Sequence, residues 1–166
     1  AKKCSGTEFK PYAADWEKRE ILPVEAQKKA AELGLAAIYV NEKHGGSGLS
    51  RLDAASVFEE LSRGCVSTAA YLTIHNMVTW MIDSHGSENL KEKFIKKLST
   101  MDIMSSYCLT EAGSGSDAAA LQTTALKKGN SHYLLNGSKS FISGGPTSDV
   151  FGVMCRTGGE GANGGS

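Results

Sequence analysis

Apolar positions in residues 1–103 recur at three- and four-residue spacing. After residue 104 they come in short runs broken by glycine and asparagine. The first ten residues carry little pattern, and Pro11 to Arg19 reads as the end of a helix. Val24 to Leu33 predicts a helix. Pro23 would sit at its first position, where a missing N–H is harmless, and Gly34 would be its stop. Ala26, Ala30 and Leu33 share one face of it. Leu35 to Val40 is short and apolar, and its pattern fits a strand or a buried turn equally. Leu52, Ala55, Phe58 and Leu61 repeat at threes and predict a helix closed by Gly64. Ser67 to about Ser84 is apolar almost all round, as a central buried helix would be. Ser87 is placed to cap a further helix. In it Leu90, Phe94, Ile95 and Leu98 face inward, while Lys91, Glu92, Lys93, Lys96 and Lys97 face out. Glu92 and Lys96 are spaced for an i,i+4 pair.

The second half reads as strands. Met104 to Leu109 predicts one that breaks into a loop. Tyr133 to Leu135, then Asn136-Gly137, then Phe141 and Ile142 predict a hairpin turning at Asn-Gly. Val150 to Cys155 predicts another strand, and Arg156 to Ser166 holds five glycines and no core residue. The fold class expected is α+β. An N-terminal all-α helical bundle domain (1–103) is followed by an incomplete antiparallel β-domain (104–166). So few strands with open edges make a poor finished sheet, which suggests a piece of a longer chain.

Composition adds exclusions. Lys plus Arg equals Asp plus Glu at 18 each in 166 residues, so no basic face is forced and nucleic acid is disfavoured as a partner. Cys4, Cys65, Cys108 and Cys155 form no CxxC pair, and His44, His75, His85 and His132 lack ligand spacing; neither a zinc site nor a disulfide framework is suggested. No leader is visible at Ala1. The longest apolar run, Ala69 to Ile82, is interrupted by His75 and Asn76 and is too short to span a bilayer, so no membrane partner is expected.

The candidate chemistry lies in Tyr107 to Asp117, YCLTEAGSGSD. Gly113 and Gly115 let the backbone turn with positive φ and let a ligand approach the main chain. The hydroxyls of Thr110, Ser114 and Ser116 beside exposed N–H groups suit a phosphate or the polar edge of a heterocycle. A plain surface loop is the bland alternative. Gly113, Gly115 and Ala118 also satisfy GxGxxA, with Ala118 to Leu126 as a possible helix, the outline of an NAD-binding Rossmann-type module. That reading needs a second parallel strand ending in an acidic residue; the sequence offers Asn136-Gly137 instead. A non-enzymatic helical interaction module is a third possibility.

The two motifs T-E-x-G-x-G-S-D (Thr110 to Asp117) and N-G-x-K-x-x-I-S (Asn136 to Ser143), after a helical first domain, resemble the acyl-CoA dehydrogenases. The resemblance runs from about Ala13 to Gly159. It implies FAD as cofactor and an acyl-CoA substrate, with short branched esters, isobutyryl-CoA first, indicated by AAYLTIHNMVTWMIDSHG and VMCRTGG. It further implies valine breakdown in the mitochondrial matrix, an electron-transfer flavoprotein as electron acceptor and a homo-tetramer.

By resemblance the cofactor-binding residues are Tyr107, Cys108, Leu109, Thr110, Glu111, Ala112, Gly113, Ser114, Gly115, Ser116, Phe141, Ile142 and Ser143. Thr110 would bond the flavin pyrimidine edge, and Gly115 and Ser116 the pyrophosphate. Ser116 would also touch the substrate's pantetheine side. Phe141 would pack on the isoalloxazine, and the Ser143 hydroxyl would reach N5. Ala112 stands where the family usually has Pro, which removes no donor. The family's proton-abstracting Glu belongs to a later helical domain, so no catalytic residue is assigned in this chain, and these residues alone are expected to be inactive. Glu111 is better suited to a polar network than to acting as a base.

Overall fold

The computed structural model describes residues 1–129 and 132–157. They form two compact units, one of residues 1–106 and 143–150, the other of residues 107–129, 132–142 and 151–157.

The first unit is helical. α1 (Lys2–Cys4) runs on as a π-helical turn (Ser5–Phe9). Then come α2 (Ala13–Lys18), α3 (Val24–Glu32), α4 (Arg51–Ser62), α5 (Val66–His85) and α6 (Glu88–Ser99). The first helical stretch fell where the sequence showed little pattern. Only Cys4, Ser5 and Phe9 of it are buried, too few positions to reveal a period. Pro23 is the N-cap of α3 rather than its first helical residue. Leu33 is exposed rather than aligned with buried Ala26 and Ala30. In α4 the buried residues are Ala54 and Leu61, whereas Leu52 is 79% exposed. A stripe read at threes drifts off the true face of a 3.6-residue helix. Ser50 and Asp53 cap α4 reciprocally. Ser87 caps α6 by accepting from the Leu90 N–H (3.4 Å). Leu90 itself is exposed, and Lys91 pairs with Glu88 (2.7 Å).

α5 is the central helix. Ala69, Tyr71 and Leu72 pack in one cluster with Phe9, Ala30, Ala36, Leu61, Met101 and Met104. Its buried residues, from Thr68 to Thr79, follow one broad face, whereas Val66 and Ala70 are exposed, so the helix is not buried all round as its apolar composition predicted; the polar residues on the buried face have partners. Asn76 shows the logic. Its Oδ1 accepts from the Ile38 N–H (2.7 Å) and its Nδ2 donates to the Leu35 carbonyl (2.9 Å). Those bonds satisfy the backbone of Leu35 to Val40, which is therefore a buried turn and not a strand.

The second unit holds an antiparallel hairpin, β2 (Thr124–Lys128) with β3 (His132–Asn136), in the register Thr124↔Asn136 to Lys128↔His132. This relocates the expected hairpin. Asn136-Gly137 ends β3 instead of turning it, and the turn follows Lys128. Gly137 is needed for another reason. A Cβ there would lie 2.4 Å from Thr123 Oγ1 and 2.7 Å from Thr123 Cα. Ala118–Ala120 is a short 3-10 turn, not the start of a helix to Leu126. Arg156 holds that turn, its Nε donating to the Leu121 carbonyl (2.7 Å) and its guanidinium to the Ala119 carbonyl (2.6 Å).

The antiparallel expectation holds for β2 and β3 alone. β1 (Ser105–Cys108) and β4 (Val150–Val153) run parallel, each crossing from one unit to the other. The Val150 N–H donates to the Met104 carbonyl (3.0 Å) and the Met154 N–H to the Cys108 carbonyl (3.0 Å), so the two strands advance together. A parallel pair needs a crossover connection. Residues 109–149 supply it without a long helix, so no alternation of strand and helix announced it in the sequence. Among the described residues no helix is long and apolar enough to cross a membrane.

Candidate functional site

β1 ends at buried Cys108, whose thiol burial pushes up in pKa. Tyr107, Leu109 and Thr110 are half-buried around that strand end. The chain then folds back sharply. The Glu111 N–H donates to the Ser114 carbonyl (2.9 Å) and the Ser114 N–H to the Glu111 carbonyl (3.1 Å), with Ala112 and Gly113 exposed at the corner. Neither Gly113 nor Gly115 has a positive φ, contrary to expectation. What they contribute is clearance, since a Cβ on either would meet no atom within 4 Å. The three hydroxyls divide. Ser114 turns inward and donates to the Asp117 carbonyl (2.6 Å), while those of Thr110 and Ser116 have no hydrogen-bond partner among the described residues.

Glu111 is the structural centre of this bend. Its carboxylate accepts from the N–H groups of Gln122 (2.6 Å) and Thr123 (2.9 Å), from the Thr123 hydroxyl (2.5 Å) and from Lys139 Nζ (2.8 Å). Lys139, and after it those three donors, holds its pKa down to about 2. Such a carboxylate is a fixed anion with its lone pairs in use, unsuited to taking a proton from a substrate.

The second motif is tied to the first. Lys139 Nζ also donates to the Leu109 carbonyl (2.9 Å), and the Ser140 N–H donates to the Thr110 carbonyl (2.8 Å). The structure thus brings Leu109, Thr110 and Glu111 against Lys139 and Ser140, and so next to Phe141 and half-buried Ile142. Phe141 is 93% exposed with φ at +59°. For a bulky residue that backbone is an outlier, costing about 1–3 kcal/mol. Sequence reasoning gave Lys139 no role and missed Gln122 and Thr123. Lys139 was visible as a fixed position in the second motif; nothing marked the other two.

In the first unit, exposed Ser143 offers its carbonyl to the Ser106 hydroxyl (2.6 Å), and Ser106 meets Ser148 Oγ (2.7 Å). Tyr71 completes the chain, donating to the Ser105 carbonyl (3.1 Å). Below it His75 is fully buried. Its Nε2–H donates to the Leu98 carbonyl (2.9 Å), and its Nδ1 accepts from the Ser105 N–H (3.2 Å) and lies 3.1 Å from the Ser105 hydroxyl. Burial lowers its pKa to about 4, so the ring is neutral. This network fixes where β1 starts.

A glycine bend with open clearance, two unengaged hydroxyls and a projecting aromatic ring fit a flat heterocycle carrying a phosphate chain. A dinucleotide site of the GxGxxA kind is not built here, because the bend leads into an antiparallel hairpin rather than a helix and a parallel strand.

Known proteins agree with this arrangement. Residues 1–102 match the family model for the acyl-CoA dehydrogenase N-terminal domain, and residues 106–166 that for the middle domain. The chain belongs to the acyl-CoA dehydrogenase family. Mitochondrial isobutyryl-CoA dehydrogenase of Bos taurus is 52% identical over 157 residues, covering 95% of this chain and 38% of the relative. That of Dictyostelium discoideum is 53% identical over 152 residues, covering 92% and 36%. A glutaryl-CoA dehydrogenase from Mycobacterium smegmatis, solved with FADH2, superimposes with a TM-score of 0.88 at 27% identity, covering 94% of this chain and 40% of that one. The chain thus spans under two fifths of the length of these two curated relatives.

Proposed function

We propose that this chain carries the helical domain (1–103) and part of the middle β-domain (104–166) of an FAD-dependent acyl-CoA dehydrogenase. Its substrate is a short branched acyl-CoA, isobutyryl-CoA, oxidised to the 2,3-enoyl ester in valine breakdown. The bond from the Ser140 N–H to the Thr110 carbonyl carries this reading. It seats the glycine bend and the Phe141 segment side by side in one unit, as a flavin lying across both requires. FAD, when bound, supplies the hydride acceptor.

The chain's own residues bind and orient. The Thr110 hydroxyl donates to the flavin pyrimidine edge, where added donors stabilise developing negative charge. The open bend at Gly113 and Gly115, with Ser116, takes the pyrophosphate. Phe141 covers one face of the ring. Tyr107, Cys108 and Leu109 form the approach, and Ser116 also meets the pantetheine arm. Glu111 and Ser114 hold the bend in shape, and Ala112 and Ile142 contribute backbone. The proton-abstracting Glu lies in a further helical domain of the enzyme. An electron-transfer flavoprotein takes the electrons from a tetramer working in the mitochondrial matrix.

The test is direct. Full-length protein is purified and its visible absorbance recorded before and after anaerobic isobutyryl-CoA. A yellow protein bleached by isobutyryl-CoA faster than by butyryl-CoA is expected. A colourless protein that takes up no added FAD ends the proposal.

A further inference from the structure

Phe141 holds a left-handed backbone although its ring is 93% exposed. Residues of this size keep such a conformation only where their surroundings impose it. Packing of the ring cannot be the cause, because the ring is in solvent. The constraint comes from the two residues before it. Ser140 is bonded to the Thr110 carbonyl (2.8 Å), and Lys139 Nζ to the Leu109 carbonyl (2.9 Å) and to Glu111 (2.8 Å). The side chains of Lys139 and Glu111 are each only 9% exposed. Glu111 is itself pinned by Gln122 and Thr123, so it is a rigid anchor. The backbone leaving Ser140 is thus tied at three points and must turn at once.

We propose that Lys139 is a positioning residue: by bridging Leu109 and Glu111 it clamps the backbone that follows, so that Phe141 is held at positive φ with its ring presented to the flavin. The ammonium suits this place. It is compact and its donors fan out, so one nitrogen serves a carbonyl and a carboxylate that a planar guanidinium would meet at two separated atoms. The clamp's use rests on the flavin reading above, but its first test needs no flavin.

Amide exchange is measured in the full-length apoprotein. In Lys139→Met the Ser140 amide is expected to exchange about tenfold faster. The Ala125 amide, bonded to the Arg156 carbonyl (2.8 Å) in the same unit, keeps its rate. Adding Phe141→Asn, which accepts positive φ, recovers about threefold of the lost protection, because the strain no longer opposes the Ser140 bond. Unchanged Ser140 exchange in Lys139→Met, equal acceleration at both amides, or no recovery in the double variant overturns the proposal. Should Lys139→Met fail to fold, Phe141→Asn alone decides. It is expected to slow Ser140 exchange about threefold, and an unchanged or faster rate overturns the proposal. With FAD added, Lys139→Met binds it about tenfold more weakly, with a shifted visible band, and Lys139→Arg restores affinity only in part. A wild-type protein that binds no FAD defeats the flavin reading and leaves the exchange result standing.

Discussion

Gly144 abuts the ring of Tyr71, so close that a Cβ at Gly144 would stand 2.2 Å from Tyr71 Cε2. Its φ is +73°, a second reason for glycine. Tyr71 is buried and bonded to Ser105, so the ring cannot move aside. Gly144→Ala should destabilise the protein by about 2–5 kcal/mol, the sum of overpacking and a left-handed alanine. Urea unfolding followed by far-UV circular dichroism measures it. A midpoint equal to wild type would show that the segment after Ser143 does not need this contact.

His75 gives a pH signature. Its folded pKa of about 4 lies below its unfolded value near 6.5, so between those values the unfolded chain binds the extra proton. Stability is intact above pH 6.5, falls as pH drops, and by pH 4 has lost up to roughly 3 kcal/mol from this group. His75→Gln, which keeps a donor and an acceptor, should flatten the curve between pH 4 and 6.5. Denaturant titrations across that range supply the slopes.

Glu111 acts in a lower window. Its folded pKa, near 2, lies below the ordinary 4.5, so its contribution is complete above 4.5 and disappears as pH falls toward 2. Glu111→Gln should remove that dependence and loosen the Thr123 amide at neutral pH. The protection factor of the Thr123 amide, corrected for intrinsic exchange at each pH, reads both, and a wild-type protection factor that does not change with pH would contradict the assignment.

Gly137 approaches the Thr123 backbone more closely than any side chain allows. Gly137→Ala should cost about 1–3 kcal/mol by overpacking and speed exchange along β2 and β3 before it affects α5. Equal effects on both would place the strain elsewhere.

Gly113 and Gly115 make the opposite case. Each has open space where a Cβ would go. Gly115→Val should leave stability within about 0.5 kcal/mol of wild type. FAD binding should weaken by at least about tenfold, because the added side chain occupies ligand space. Flavin titration beside a thermal melt separates the two effects; unchanged affinity would move the pyrophosphate off this bend.

How much could be read in advance follows from how local each signal is. α3, α5, α6 and strands β1 and β4 declared themselves through period, caps and stops, which depend on neighbours a few residues away. The loop from Thr110 to Asp117 was visible as a motif, and so was its companion ending at Ser143. What escaped was long-range. Asn136-Gly137 carries the strongest local hairpin signal in the chain, yet its glycine serves an approach to Thr123. The link from Glu111 to Lys139 joins residues that no window spans. The parallel direction of β1 and β4 depends on where the connection leads, which the strands' own composition does not encode.

The parallel ladder also sets an order of events during synthesis. β1 leaves the ribosome with its whole edge unpaired, and Val150 follows only after the bend, the hairpin and the Phe141 turn have been made. The helices around α5 can assemble meanwhile, since their contacts are nearer in sequence. The pairing of β1 is therefore completed late, after the Glu111 partners of the bend have been made, and a nascent chain paused between the two strands would expose a naked edge to chaperones or to its neighbours.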